Sequence, residues 1–232
     1  MELIWQGLLE AFRLIVTGDP NIFQITRLSL QISGGATLLS LLVGIPAGMG
    51  LGLTRFAGRG LCIALVNTGM GLPPVVVGLF VSIFLWRSGP LGFIALLYTP
   101  TAIVIAQFII AAPIVTGLTM AAMQQLNPRL RLQFLALGAS RLQLLWLLMR
   151  EARLPLLAAV MAGFGGVISE VGASMMVGGN IQGQTRVLTT ATVLETSKGN
   201  FDLAIALGVI LLVLAFTVNY LLTWIQQRGR TP

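Results

Sequence analysis

From Phe164 to Leu188 the chain reads Phe-Gly-Gly-Val-Ile-Ser-Glu-Val-Gly-Ala-Ser-Met-Met-Val-Gly-Gly-Asn-Ile-Gln-Gly-Gln-Thr-Arg-Val-Leu. One carboxylate, Glu170, sits inside an apolar run that opens into a polar, glycine-rich loop carrying Arg186. A charge at membrane depth costs at least about 2.5 kcal/mol on insertion scales, so such a residue faces a partner or a water-filled cavity rather than lipid. The loop offers donors from Asn180, Thr185, Arg186, Thr189 and Thr190, beside the backbone amides of Gly178, Gly179 and Gly183. Donors without competing negative charge suit the passage of a tetrahedral anion. Glu170 does not suit it, because an ionised carboxylate on the path repels a dianion. A structural or gating role is expected instead, with a basic or hydroxyl partner across a subunit interface. Arg186 is read first as a residue that fixes the loop or meets an acidic residue of an arriving partner, and only second as an anion contact.

The elements that carry these residues are membrane spans. Of 232 residues 56% are hydrophobic and 9% charged, against roughly 25% charged in soluble domains. The net charge of +7 comes from residues in short gaps between apolar runs. A nucleic-acid binder gathers its basic residues on one folded surface instead, so no nucleic-acid partner is expected. Apolar segments near Arg27–Leu53, Leu61–Trp86, Tyr98–Ala122, Leu154–Val177 and Phe201–Ile225 each approach the roughly 20 residues that a helical span needs. We therefore expect an all-α polytopic membrane protein of about five spans, and the glycine-rich run 61–86 is a place where a helix can be broken. Arg55, Arg59, Arg129, Arg131, Arg141, Arg150, Arg153, Arg228 and Arg230 fall on one side of such a bundle. That side is assigned to the cytoplasm, which leaves the N-terminus outside and the C-terminus inside.

Within the N-terminal segment 1–20, residues 2–17 place Ile4, Leu8, Phe12 and Ile15 on one face and Glu2, Gln6, Glu10, Arg13 and Thr17 on the other. This spacing predicts an amphipathic helix, lying along the outer membrane surface or packed on the rim of the bundle. Gly18 and Pro20 end it. The first residues lack the basic start of a cleavable leader, so none is expected. Cys62 is alone in an apolar run and is read as a packing residue. With no His and scattered carboxylates, neither a metal nor another cofactor is expected. Ala159, Ala162, Gly163, Gly166 and Ala173 recur at helical spacing around Glu170 and permit close approach of a second helix.

The gap from Met123 to Arg153 has helical character on both sides of Gly138-Ala139-Ser140 and Arg141. A helix, a turn and a second helix make a docking hairpin that can fill a groove on a partner. Gly138 and Leu154-Pro155 resemble the coupling loop of ABC-transporter permeases, a Glu-Ala-Ala-x-x-x-Gly pattern followed by Leu-Pro. The triplet positions here hold Leu132, Gln133 and Phe134, and Gly138 lies four residues farther from the proline than in that pattern, about one helical turn. Leu72-Pro73-Pro74-Val-Val-Val-Gly78 and the stretch from Ser169 to Thr190 are similar to segments of the molybdate and tungstate permeases, the second most like the tungstate branch.

The resemblance covers the chain from about Arg27 to Ile225 and implies a single transmembrane permease domain, 1–232, whose loop 123–153 couples to ATPase subunits. It further implies a second copy of the chain, an extracytoplasmic solute-binding protein, and a path or gate that includes Pro73, Pro74 and Glu170. The chain lacks a Gly-x-x-x-x-Gly-Lys-[Ser/Thr] loop and holds one lysine, Lys198, so it is expected to hydrolyse no ATP itself. A self-sufficient carrier is disfavoured by the lack of a convincing internal repeat. An intramembrane protease is disfavoured by the lack of a His base and of a paired aspartate. A permease for molybdate or sulfate is the closest competing reading.

Overall fold

The computed structural model describes residues 2–228, and no β-strand occurs among them. Arg230, counted above on the cytoplasmic side, lies outside the described residues. Helix α1 (Glu2–Thr17) is joined through Gly18 to α2 (Pro20–Leu53). The Asp19 carboxylate accepts the N–H groups of Asn21 and Ile22 at 2.9 and 3.1 Å and Pro20 stands in the first turn, so the start of α2 is capped and pre-set for helix. Next come α3 (Arg59–Met70) and α4 (Pro74–Leu85), which turn through 103° at Gly71–Pro73. The prolines there end one helix and seed the next. Beyond an irregular segment with one 3-10 turn lies α5 (Pro100–Gln124), followed by α6 (Pro128–Ala136), α7 (Arg141–Glu151), α8 (Arg153–Ile168), α9 (Gly172–Gly178), α10 (Leu188–Ser197) and α11 (Phe201–Arg228).

Among the described residues α2, α5 and α11 are long and apolar enough to cross a membrane alone. Counting the bent pairs α3–α4 and α7–α8 as one span each brings the number to five. The fourth expected span, Leu154–Val177, is not continuous: α8 stops at Ile168 and α9 begins at Gly172. The bent pair that passes as a span is α7 with α8, inclined by 74°. Composition does not register the break, because the run on both sides of Ser169 and Glu170 is predominantly apolar.

Helix α5 is the centre. Ala102, Ile103, Ala106 and Ile110 meet Ile32 of α2, Val77 and Val81 of α4, and Ala173 and Val177 of α9 in one core cluster. A second cluster, at the other end, joins Met49, Met123, Leu144, Leu148, Ala152 and Leu156. Between the two, α2 and α5 approach closely. A Cβ on Gly44 would lie 2.8 Å from the Val115 side chain, one on Gly48 2.5 Å from the Thr116 carbonyl oxygen, and one on Gly52 2.7 Å from the Met123 side chain. Small residues every fourth position let two backbones meet where lipid supplies no hydrophobic drive.

Helix α1 packs on α11 through its small residues. Ala11 is buried, and a Cβ on Gly7 would overlap Ile205. Ile4, Leu8, Phe12 and Ile15, the apolar face expected from the sequence, point away from the bundle and stay exposed. The same holds for Leu212, Phe216 and Tyr220 on α11, and an apolar surface of this extent needs lipid or another chain to cover it.

Candidate functional site

Two places carry the residues singled out above. The first is the break between α8 and α9. Irregular backbone at membrane depth persists only where its polar groups are satisfied, and here side chains do it. Glu170 is buried, and its Oε1 accepts the Ala173 N–H at 2.7 Å. Thr189 Oγ1 donates to the Glu170 carbonyl at 2.9 Å. From α5, Gln107 Nε2 reaches both the Val167 carbonyl at 3.1 Å and Ser174 Oγ at 3.3 Å, so one amide spans the break. Sequence reasoning passed over Gln107, although a buried amide within Ile105–Ile110 is itself a signal of an obligatory partner.

Because Glu170 acts as an acceptor, Glu170→Gln, with an amide oxygen at the same place, is expected to keep the chain assembled. Glu170→Ala is expected to lower stability by about 1 kcal/mol, as loss of a helix-capping side chain does. Thermal unfolding in detergent checks both; equal midpoints for the Ala variant and wild type would refute the capping role.

The loop that follows α9 is knotted on itself. Gly179, Asn180 and Gly183 all have positive φ. Thr185 Oγ1 donates to the Gly178 carbonyl and accepts the Ile181 N–H at 2.9 Å. Asn180 Nδ2 donates to the Thr190 carbonyl at 3.3 Å, Arg186 Nη2 to the Asn180 carbonyl at 3.4 Å, and Thr190 Oγ1 accepts the Val187 N–H at 3.1 Å. The structure thus gathers Asn180, Thr185, Arg186 and Thr190 in one hydrogen-bonded knot and places Thr189 on Glu170. Thr185, Thr189 and Thr190 are buried, while the tip Ile181–Gln184 is exposed. Gln24 and Ser29 of α2 hold the same loop, through the Gly183 carbonyl at 3.1 Å and the Leu188 N–H at 2.8 Å. Pro73 and Pro74 sit on the far side of α9: Gly78, one turn past Pro74, lies so close that a Cβ would be 2.7 Å from the Ala173 Cα.

Beyond α10, Asn200 and Lys198 donate to the Glu195 carboxylate, each at 2.8 Å. These bonds, with the positive charges of Lys198 and Arg186, hold the Glu195 carboxyl below the ordinary carboxylate range. The carboxylate's bonds therefore contribute stability above the ordinary carboxylate range, a contribution lost as the pH falls through the lowered pKa.

The second place is the hairpin. Helix α6 ends in paired reverse bonds, from the Ala139 N–H to the Phe134 carbonyl and from the Gly138 N–H to the Leu135 carbonyl, both 3.0 Å. Gly138 has φ +83°, the left-handed conformation this helix ending requires. Ser140 and Gln143 then form a reciprocal cap on α7, with the Ser140 N–H 2.8 Å from Gln143 Oε1. Leu144 and Leu148 anchor α7 to the ends of α2 and α5. The opposite surface is exposed: Leu137 at 84%, Leu142 at 80% and Trp146 at 59%, with Arg150 stacked 5.5 Å from the Trp146 ring. Arg141 opens α7 beside this apolar tip. Leu154 and Pro155 lie in the first turn of α8, where the Leu154 carbonyl accepts Gln226 Nε2 of α11 at 3.2 Å.

The described residues thus build a bundle of continuous and broken helices with a two-helix hairpin at one end. The solved MetNI methionine ABC transporter, in inward-facing conformations, has a chain of the same fold: TM-score 0.74 at 18% identity, over 92% of this chain and 99% of that one. Residues 44–231 match the family model of the binding-protein-dependent transport system inner membrane component, and the chain belongs to that family. It is 40% identical to the tungstate uptake system permease protein of Peptoclostridium acidaminophilum, over 98% of this chain and all of that protein. It is 41% identical to a probable anion ABC transporter permease of Haloferax volcanii, over 93% of this chain and 95% of the relative. The molybdenum transport system permease of Escherichia coli is 26% identical, over 93% and 98%.

Proposed function

We propose that this chain forms the membrane path of an ATP-driven importer for tungstate. The observation that carries the reading is identity of 40% along the whole length of a tungstate uptake permease, against 26% to a molybdenum permease. Two copies of the chain surround the path. An extracytoplasmic binding protein delivers the oxyanion to the exposed tip 181–184, with Arg186 beneath it. Two ATPase subunits grip the α6–α7 hairpin through Leu137, Gly138, Ala139, Ser140, Arg141 and Leu142. The N-terminus lies outside and the C-terminus inside, following the basic residues.

Alternating access is the cycle this reading implies, and the connectivity supports it. The hairpin continues through the 74° bend into α8, which carries Leu154 and Pro155, and α8 ends at the Glu170 break. Beyond that break α9 lies against α4, just past Pro73 and Pro74. Closure of the ATPase pair moves the hairpin, and the two breaks let α9 and α4 re-aim while α5 stays fixed. Gly178, Gly179, Asn180, Thr185, Thr189 and Thr190 then serve as the stiff rim of the path, with exposed backbone amides such as that of Gly183 as the donors an oxyanion meets first.

The test is uptake of labelled tungstate into proteoliposomes containing the complex purified through a tag on this chain, with its binding protein added. ATP-dependent uptake that resists excess molybdate and sulfate is expected. Preferential inhibition by either would reassign the anion, and uptake without ATP would overturn the importer.

A further inference from the structure

We propose that the chain holds an anionic phospholipid, its phosphate on three arginines at the end of α2 and one acyl chain in a groove between α2 and α7. A cavity of about 520 Å³ is lined by Arg55, Arg59 and Arg131, with no Asp or Glu among its lining residues. Arg59 Nε donates to the Leu51 carbonyl at 2.8 Å and Arg131 Nη1 to the Leu53 carbonyl at 3.1 Å. These bonds hold both guanidinium groups in place over the last turn of α2. A guanidinium has five N–H donors, so each keeps several for a ligand. Fixed, planar forks of this kind match phosphate oxygens in pairs.

The cavity does not stand alone. At Leu53 and Thr54 it meets a groove of about 590 Å³ lined by Leu42, Ile45, Pro46, Met49, Leu145 and Met149. The groove lies along the second half of a helix that crosses the membrane, and Leu42 within it is 63% exposed. An apolar slot in a spanning helix that ends in a basic, carboxylate-free hollow fits an amphiphile with a negative head. Basic hollows at the ends of spans attract anionic headgroups in this way. The cationic end of a zwitterionic lipid would face three guanidinium groups, which selects against it. A soluble acidic partner would reach the arginines and leave the membrane-side groove empty. The site is separate from the loop and break described above and does not depend on which oxyanion is carried.

The test uses the full chain, purified in detergent with its accompanying subunits. After delipidation it is offered phosphatidylglycerol or phosphatidylcholine with the same acyl chains, and retained lipid is read by native mass spectrometry. Retention of phosphatidylglycerol about tenfold above phosphatidylcholine is expected. Arg55→Gln, which removes a guanidinium that caps no carbonyl, is expected to reduce retention about fivefold. Ile45→Trp fills the groove while leaving every arginine, and is expected to reduce it comparably. Equal retention of the two lipids, or wild-type retention by both variants, would overturn the proposal. Full displacement by millimolar glycerol 3-phosphate with no effect of Ile45→Trp would also overturn it, leaving a free-anion site. So would selective retention that appears only after the ATPase subunits are stripped from the complex, which would make the arginines a protein contact.

Discussion

Replacement of Gly138 by tryptophan is expected to abolish ATP-driven uptake while leaving normal amounts of the chain in the membrane. The reason is local. At φ +83° an L side chain is strained, by roughly 1–2 kcal/mol for the left-handed region, although nothing lies within 4 Å of where its Cβ would stand. The core is therefore spared, and the strain falls on the turn that sets the angle between α6 and α7. An indole at the tip also stands beside Leu137 and Leu142, on the surface assigned to the ATPase. Asparagine tolerates the left-handed region far better, so Gly138→Asn is expected to keep most of the uptake. Membrane-fraction blots and proteoliposome uptake, measured together, decide the matter. Normal uptake by Gly138→Trp would remove the hairpin from coupling, and equal loss in Trp and Asn variants would show that conformation is not what matters.

The largest loss of folded protein is expected at Gly48. Its missing Cβ would sit 2.5 Å from the Thr116 carbonyl oxygen, 2.6 Å from the Thr119 Cβ and 3.0 Å from the Met120 backbone nitrogen. Two of these are main-chain atoms of α5 and cannot turn aside, so Gly48→Leu must push α2 off the central helix. Forced overpacking costs about 1–3 kcal/mol where side chains can shift, and more here because backbone must move. Gly50, two residues on, has no atom within 4 Å of its Cβ position, and Gly50→Leu is expected to fold normally. Size-exclusion profiles in detergent separate the two: a monodisperse Gly48→Leu protein with wild-type thermal stability would disprove the close α2–α5 seam.

What the sequence disclosed, and what it hid, follow from the range of the interactions involved. The hairpin was legible because its signals are local: helical character on each side of the turn residues Gly138, Ala139 and Ser140; the reciprocal cap between Ser140 and Gln143 went unread. The spans were legible for the same reason, and so was a breakable site between Leu61 and Trp86, marked by Pro73 and Pro74. The break at Ser169–Val171 has no such marker. It exists because Glu170, Gln107 and Thr189, far apart in the chain, supply the bonds that an interrupted helix lacks. The donors of the loop 178–190 were identified by type, but their pairing with Gly178, Ile181 and Val187 depends on a backbone path that spacing does not encode. Helix α1 shows the opposite confusion. Its large apolar residues drew attention to the face left exposed, whereas Gly7 and Ala11, too small to register as a stripe, form the face packed on α11.

Helix α2 has one more property, which follows from its length alone. At about 1.5 Å per residue its 34 residues make a rod of about 51 Å, well beyond the roughly 30 Å of hydrocarbon it crosses. Near one tip Gln24 grips the Gly183 carbonyl, and at the other the Leu53 carbonyl is gripped by Arg131 of α6. The loop proposed as the rim and the hairpin proposed to meet the ATPase are thus fastened to opposite ends of one helix. Because Gly44, Gly48 and Gly52 seat α2 on α5, these two ends are held at a fixed separation, so the helix acts as a spacer between the two faces of the bundle.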